Sequence, residues 1–298
     1  VSDIHQIYWE ESGNPDGLPV IFLHGGPGAG ASPACRGFFN PDVFRIVIID
    51  QRGCGRSRPK GSRDHNTTQH LIADMEKIRE RFGFARWMVA GGSWGATLAL
   101  AYAEAHPERV SGLALRATFL GTAEELEDVF LRALPRFYPG LSEDFLNFLP
   151  EHERATPVAA YYRRILDPDA AVHAPAARAW HDTERTLSEH TPKQTRLDLA
   201  KASGALPSTP FMEAHYFAND CFMRPHQLMD EAGKLAGIPG ILVQGRYDLL
   251  CPPATSHALA ARWLGSEVRI VDGAGHILYD PGIRNAVMKA IADLAARS

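Results

Sequence analysis

Cysteine is scarce in this chain, and the little there is lies scattered. Cys35, Cys54, Cys221 and Cys251 are its four cysteines, with no Cys-x-x-Cys pair among them. Neither a disulfide framework nor a zinc site is indicated, and free thiols in a reducing cytoplasm are the expectation. Long apolar runs are missing too: no stretch approaches the roughly 18 to 20 residues that a membrane span needs. No polybasic run occurs and the formal net charge is −4, which argues against nucleic acid and anionic membrane as partners. Val1-Ser2-Asp3-Ile4-His5 has neither the charge nor the apolar segment of a secretory leader. Because the first residue is not Met, a removed leader stays open. Internal repeats and long low-complexity linkers are also absent.

What is present is the composition of an ordinary globular protein, with 45% hydrophobic and 22% charged residues in 298. Pro19-Val20-Ile21-Phe22-Leu23 and Phe44-Arg45-Ile46-Val47-Ile48-Ile49 read as strands buried on both faces, as in a parallel sheet. Trp87 to Ala90, Val110 to Leu115, Ile238 to Val243 and Glu267 to Val271 repeat the pattern. Leu71, Ile72, Met75, Ile78 and Phe82 mark an amphipathic helix over 68–82, and further helices are expected at about 255–264 and 283–296. Strands alternating with helices predict an α/β fold with a doubly wound, mostly parallel sheet. Between 121 and 235 the character changes: no buried strand is legible, and Leu126, Val129, Phe130, Leu134 and Phe137 keep helical spacing, as do Val158, Tyr161, Tyr162 and Ile165. This stretch reads as a helical cap inserted after a sixth strand, with residues 1–120 and 236–298 forming the core.

The chemistry centres on Gly91-Gly92-Ser93-Trp94-Gly95, between the strand 87–90 and the helix former Ala96-Thr97-Leu98-Ala99-Leu100-Ala101-Tyr102. A serine between close-set glycines at a strand-to-helix turn is the nucleophile elbow of an α/β-hydrolase. The turn is tight enough that side chains two positions from the serine would collide with strand or helix. In this fold the partners follow in the order Ser, Asp, His. Asp248 follows the strand Ile241-Leu242-Val243-Gln244-Gly245, and His276 follows the last strand through Asp272-Gly273-Ala274-Gly275. His276 is assigned as general base and acid, and Asp248 as the group that fixes its tautomer, with Asp272 and Asp280 as rivals for that post. The oxyanion hole needs two backbone N–H groups. Trp94 supplies one, and Gly26 in His24-Gly25-Gly26-Pro27-Gly28, after a strand taken as the third, supplies the other. His24 is read as a brace of that loop. Asp50-Gln51-Arg52-Gly53-Cys54-Gly55-Arg56-Ser57 lacks the Lys-Ser/Thr of a phosphate loop and reads as a turn walling the site.

With these residues in view, the chain resembles the proline iminopeptidases, α/β-hydrolase peptidases, through nearly its whole length. The resemblance is carried by Tyr8-Trp9-Glu10-Glu11-Ser12-Gly13-Asn14-Pro15, His24 to Gly28, Asp50 to Ser57, His65-Asn66-Thr67-Thr68, Gly91 to Gly95, His215-Tyr216-Phe217 and Gly245-Arg246-Tyr247-Asp248. It implies removal of an N-terminal proline from short peptides or aminoacyl amides by a serine mechanism, with neither metal nor cofactor. Ser93, Asp248 and His276 carry over as the triad, and Gly26 and Trp94 as the oxyanion hole. Glu184 and Glu213 match the cap carboxylates that read a free amine, Phe119 matches an aromatic of the proline pocket, and Tyr216 joins the substrate-binding set.

The chain departs from the family pattern at Gln69, at Asp128-Val129 and at Thr183, which bears on proline preference rather than on hydrolysis. Two other readings stand beside a prolyl aminopeptidase: an esterase or amidase with a different acyl preference, and a non-catalytic binding protein that kept the fold. Convergence of Glu184 and Glu213 near Ser93 separates the first from the aminopeptidase. A serine at the elbow disfavours an aspartate-nucleophile hydrolase.

Overall fold

The computed structural model describes residues 1–2, 4–198, 205–280 and 282–297. Among these residues the sheet has seven strands: β1 (Trp9–Gly13), β2 (Leu18–Leu23), β3 (Phe44–Ile49), β4 (Trp87–Ser93), β5 (Val110–Thr118), β6 (Gly240–Gly245) and β7 (Ser266–Val271). Their order across the sheet is β1-β3-β2-β4-β5-β6-β7. Only β1 is antiparallel, pairing Trp9 with Ile49 and Gly13 with Arg45. The apolar runs form the inner strands because both of their faces are covered. β2, β4 and β6 are almost wholly buried, whereas β1 alternates between exposed and half-buried residues. That edge position explains why Trp-Glu-Glu-Ser-Gly does not read as a buried strand.

Alternate residues of each strand feed two cores. Ile21, Leu23, Val47 and Ile49 face Leu71, Met75 and Ile78 of α1 (Thr68–Arg81) and the Ala-rich α2 (Trp94–Ala105). Val20, Phe22, Ile46 and Ile48 face the opposite layer. Thr67 caps α1 by accepting the His70 N–H. α2 is largely apolar and buried from Trp94 to Glu104, as befits a helix enclosed on nearly all sides.

After β5 the chain leaves the sheet. It forms α3 (Ala123–Glu127), a π-helical turn over Asp128–Ala133, α4 (Leu134–Phe137), α5 (Pro139–Asn147), α6 (Pro157–Ile165), α7 (Ala170–Ser188), α8 (Thr209–Phe217) and α9 (Gln227–Asp230) before β6. Among the described residues of 119–239 no strand occurs. The strand before this helical stretch is the fifth, not the sixth, and the strand 19–23 is the second, not the third, because only β1 precedes it. Phe137 departs from the helical spacing of the sequence, standing 57% exposed. Leu134, directly after the π turn, stays buried, and Phe137 stands at the exposed end of the four-residue α4. α10 (Pro253–Arg262) and α11 (Ile283–Ala295) complete the fold, with α11 burying Ile283, Val287, Ile291 and Leu294 against the second core. No helix among the described residues is long and apolar enough to cross a membrane.

Candidate active site

β4 delivers Ser93 to the rim of the sheet and α2 departs from the next residue. Ser93 has φ 56° and ψ −128°, a left-handed conformation that costs a non-glycine residue energy and persists only where the surroundings enforce it. The enforcement comes from close backbone approach. A Cβ on Gly91 would stand 2.6 Å from the Gly95 carbonyl oxygen, and one on Gly95 would collide with the Leu23 carbonyl. The glycines are therefore fixed by the contact of β2, β4 and α2, which leaves the serine hydroxyl partly exposed.

His276 Nδ1 lies 3.0 and 2.9 Å from the two oxygens of Asp248. The Asp248 carboxylate is buried and also accepts the backbone N–H groups of Leu250 and Cys251 at 3.0 and 2.8 Å. With Nδ1–H donating to Asp248, the other ring nitrogen is left as the acceptor that a general base requires. The backbone holds the histidine as firmly: its N–H donates to Ser188 O at 3.2 Å, at the end of α7, and its carbonyl accepts from the Arg116 guanidinium. The rivals are employed elsewhere. Asp272 pairs with Arg246 at the surface, and Asp280 accepts the Gly275 N–H at 2.7 Å. No hydrogen bond between Ser93 Oγ and the His276 ring is made among the described residues; such bonds commonly tighten only when substrate is bound.

Asp248, Cys251 and His276 also bring three ligand-type atoms within 4.8 Å of one another. They suit a metal poorly. Burial pushes the Cys251 thiol well above its ordinary range, keeping it protonated, and a thiolate is what a metal binds. The carboxylate and imidazole are already spent on each other.

Gly26 and Ser93 line one cavity. The Trp94 N–H is the first of α2 and has no intrahelical acceptor, so both backbone donors are available to an oxyanion. Gln51 ties the two together, a role the sequence did not reveal. Its Nε2 donates to His24 O at 2.9 Å, its Oε1 accepts from Trp94 Nε1 at 2.8 Å, and its own N–H donates to His24 Nε2 at 3.0 Å. That last bond fixes the His24 proton on Nδ1, which donates to Gly25 O at 2.9 Å. Burial holds His24 below the ordinary histidine range, so it braces the loop as a neutral ring. Within the 50–57 loop, Asp50 accepts the N–H groups of Ala31 and Arg56 at 2.7 and 2.8 Å, a structural turn rather than an anion cradle.

Phe119, Phe130, Val129, Trp180, Phe217 and Glu184 enclose the same cavity as Ser93, whose volume is only about 30 Å³. Glu184 on α7 and Glu213 on α8 are in side-chain contact, and Glu213 also accepts from Trp180 Nε1 at 2.7 Å. Two carboxyl groups touching away from water cannot both ionise. Burial pushes Glu184 up to about 7. Burial and the neighbouring Glu184 charge drive Glu213 well above the carboxylate range. Glu213, behind Glu184, is pushed further up, so Glu184, in the cavity wall, is the more acidic of the two.

Tyr216 stands elsewhere. It is buried behind Trp94, with ring centroids 4.5 Å apart, and its hydroxyl donates to Asn66 Oδ1 at 2.7 Å. It supports Trp94 from behind and does not line the cavity. Of the departures from the family pattern, Gln69 is exposed and bonds Phe222 O, Thr183 is buried with its hydroxyl on Ala179 O, and Asp128 is on the outer side of its turn. Only Val129 reaches the cavity wall.

The mixed sheet, the elbow and the Asp–His pair define the class. Residues 19–282 match the family described as alpha/beta hydrolase fold. An alpha/beta hydrolase enzyme from a Medee basin deep-sea metagenome library superposes with a TM-score of 0.64 at 15% identity, covering 99% of this chain and 95% of that one. Among curated proteins, the proline iminopeptidase of Neisseria meningitidis serogroup A is 50% identical over 298 residues, spanning 99% of this chain and 94% of its own length. That of Arabidopsis thaliana is 41% identical over 299 residues, covering 98% and 79%. The chain belongs to the proline iminopeptidase family.

Proposed function

We propose that this chain is a serine exopeptidase that releases an N-terminal proline, with Ser93, His276 and Asp248 as its triad. Residues 1–120 and 236–298 form the catalytic core in this reading, and 121–235 the cap that selects substrate. The four free, buried cysteines fit action in a reducing cytoplasm. Ser93 Oγ attacks the prolyl carbonyl as His276 takes its proton. The N–H groups of Gly26 and Trp94 stabilise the oxyanion. Collapse breaks the C–N bond, the same proton passes to the departing amine, and a prolyl ester remains on Ser93. Water, deprotonated by His276, then attacks that ester; the serine recovers its proton and proline leaves.

The observation that carries the exopeptidase reading is the touching pair Glu184 and Glu213, with Glu184 in the wall of the cavity that holds Ser93. One negative charge in an apolar enclosure pairs with a protonated secondary amine and rejects an acylated one. A cavity of about 30 Å³ holds only about two waters, so a pyrrolidine ring enters by displacing cap side chains such as Val129 and Phe130. A panel of aminoacyl chromogenic amides with N-acetylproline amide as control tests this reading. Proline amide is expected to be cleaved best and the blocked one not at all; equal cleavage of both refutes amine recognition.

A further inference from the structure

A second and much larger cavity, about 670 Å³, opens on the outer side of the residues that wall the catalytic one. Two stretches separate them, and each shows one face to either side. From the π turn, Val129 and Phe130 face inward while Asp128 and Arg132 face the outer cleft; after β6, Leu250 and Cys251 face inward while Leu249 and Pro252 face outward. Its volume lies in the range of about 300–1,000 Å³ usual for small-ligand sites.

The charged side chains of this cleft already hold ion-pair or hydrogen-bond partners, with one exception. Arg132 pairs with Asp128 at 3.0 Å, Arg246 with Asp272 and Glu189 with Arg185 at 3.2 Å, while Asp248 accepts the His276 Nδ1–H. Among the described residues Arg136, exposed at the cleft wall, has no ion-pair partner. Beside it stand the exposed aromatic rings of Phe137 and Tyr247, the latter stacked on His190 at 5.1 Å.

We propose that this cleft receives the part of the peptide beyond the scissile bond, and that Arg136 captures the free C-terminal carboxylate of a short substrate. The inference rests on the exopeptidase reading above. With the imino group held at Glu184 in a small, half-open cavity, everything after the first residue must lie outside it, and this cleft adjoins the catalytic wall. A guanidinium without a partner pairs readily with a carboxylate. Phe137 and Tyr247 supply apolar surface for the intervening side chains.

The test compares Pro-Gly, Pro-Gly-Gly and Pro-Gly-Gly-Gly, each as free acid and as C-terminal amide, with proline 4-nitroanilide as reference. For at least one length KM is expected to be about three- to tenfold lower for the acid than for the amide, and the preference shrinks in high salt. Arg136→Ala brings the acid-to-amide ratio to about one, while Arg246→Ala, which removes a cation already paired, retains it. No preference at any length in the wild-type enzyme, or equal loss in both variants, overturns the assignment. If the anilide is cleaved while that preference is missing, only this inference fails. If the anilide is not cleaved at all, the exopeptidase reading fails and this inference with it.

Discussion

Replacing Glu184 by Gln separates what this residue does for binding from what it costs the fold. Its carboxyl rises from an ordinary 4.5 to about 7, a displacement worth at most about 3 kcal/mol at alkaline pH. The sign follows from linkage. A group whose folded value is raised binds more protons when native, so its contribution is fully favourable below about 4.5 and is lost as pH rises through about 7. Glu184→Gln has no proton to lose there. It should match the wild type near pH 4.5 and exceed it by about 1–3 kcal/mol at pH 8, or roughly 2 °C in Tm for each kcal/mol in a chain of this size. Activity moves the other way: without the charge-assisted bond, kcat/KM for a proline amide falls about ten- to a hundredfold. Paired thermal melts at the two pH values, with steady-state rates on the same preparations, decide the matter. A stability difference that does not change with pH, or unaltered turnover, refutes the reasoning.

In the wild-type enzyme, KM for a proline amide should rise as pH falls through about 7 and Glu184 takes up its proton, with Glu184→Gln nearly flat over that range. Asp248→Asn leaves the backbone donors of Leu250 and Cys251 in place but no longer fixes the His276 tautomer; kcat falls on the order of 10³–10⁴-fold with melting little changed. Gln51→Leu severs the link between the His24 loop and Trp94, and kcat is expected to drop about ten- to a hundredfold at nearly constant KM. An equal rise in KM would mean that Gln51 shapes binding rather than the oxyanion hole.

Most of what positions the chemistry was legible in the chain because it rests on local rules. The buried strands announced themselves by uninterrupted apolar runs, and the elbow by glycines whose spacing only a tight turn demands. Asp248 and His276 were legible from their places after β6 and β7. β1 escaped because an antiparallel edge strand carries no apolar run, and the strand count came out one too high because two strands rather than one were placed ahead of 19–23. The roles of Gln51 and Tyr216 depend on what packs beside Trp94 in three dimensions, which periodicity does not encode: one looked like a turn residue and proves a bridge, the other looked like a substrate contact and sits behind the wall. The Glu184–Glu213 contact joins two helices 29 positions apart in sequence, and only the family resemblance pointed to it. Arg136, which has no ion-pair partner among the described residues, gave no signal at all, since its distinction is that its neighbours have found partners elsewhere.

The proposed reaction stands or falls on a prolyl ester at Ser93. Rapid mixing with an activated proline ester, acid quenching and peptide mass mapping read it directly. One prolyl group on the peptide containing Ser93, absent from Ser93→Ala and formed at a rate matching turnover, is the predicted result. Continued turnover in Ser93→Ala, or a label carried by any other residue at that rate, contradicts it.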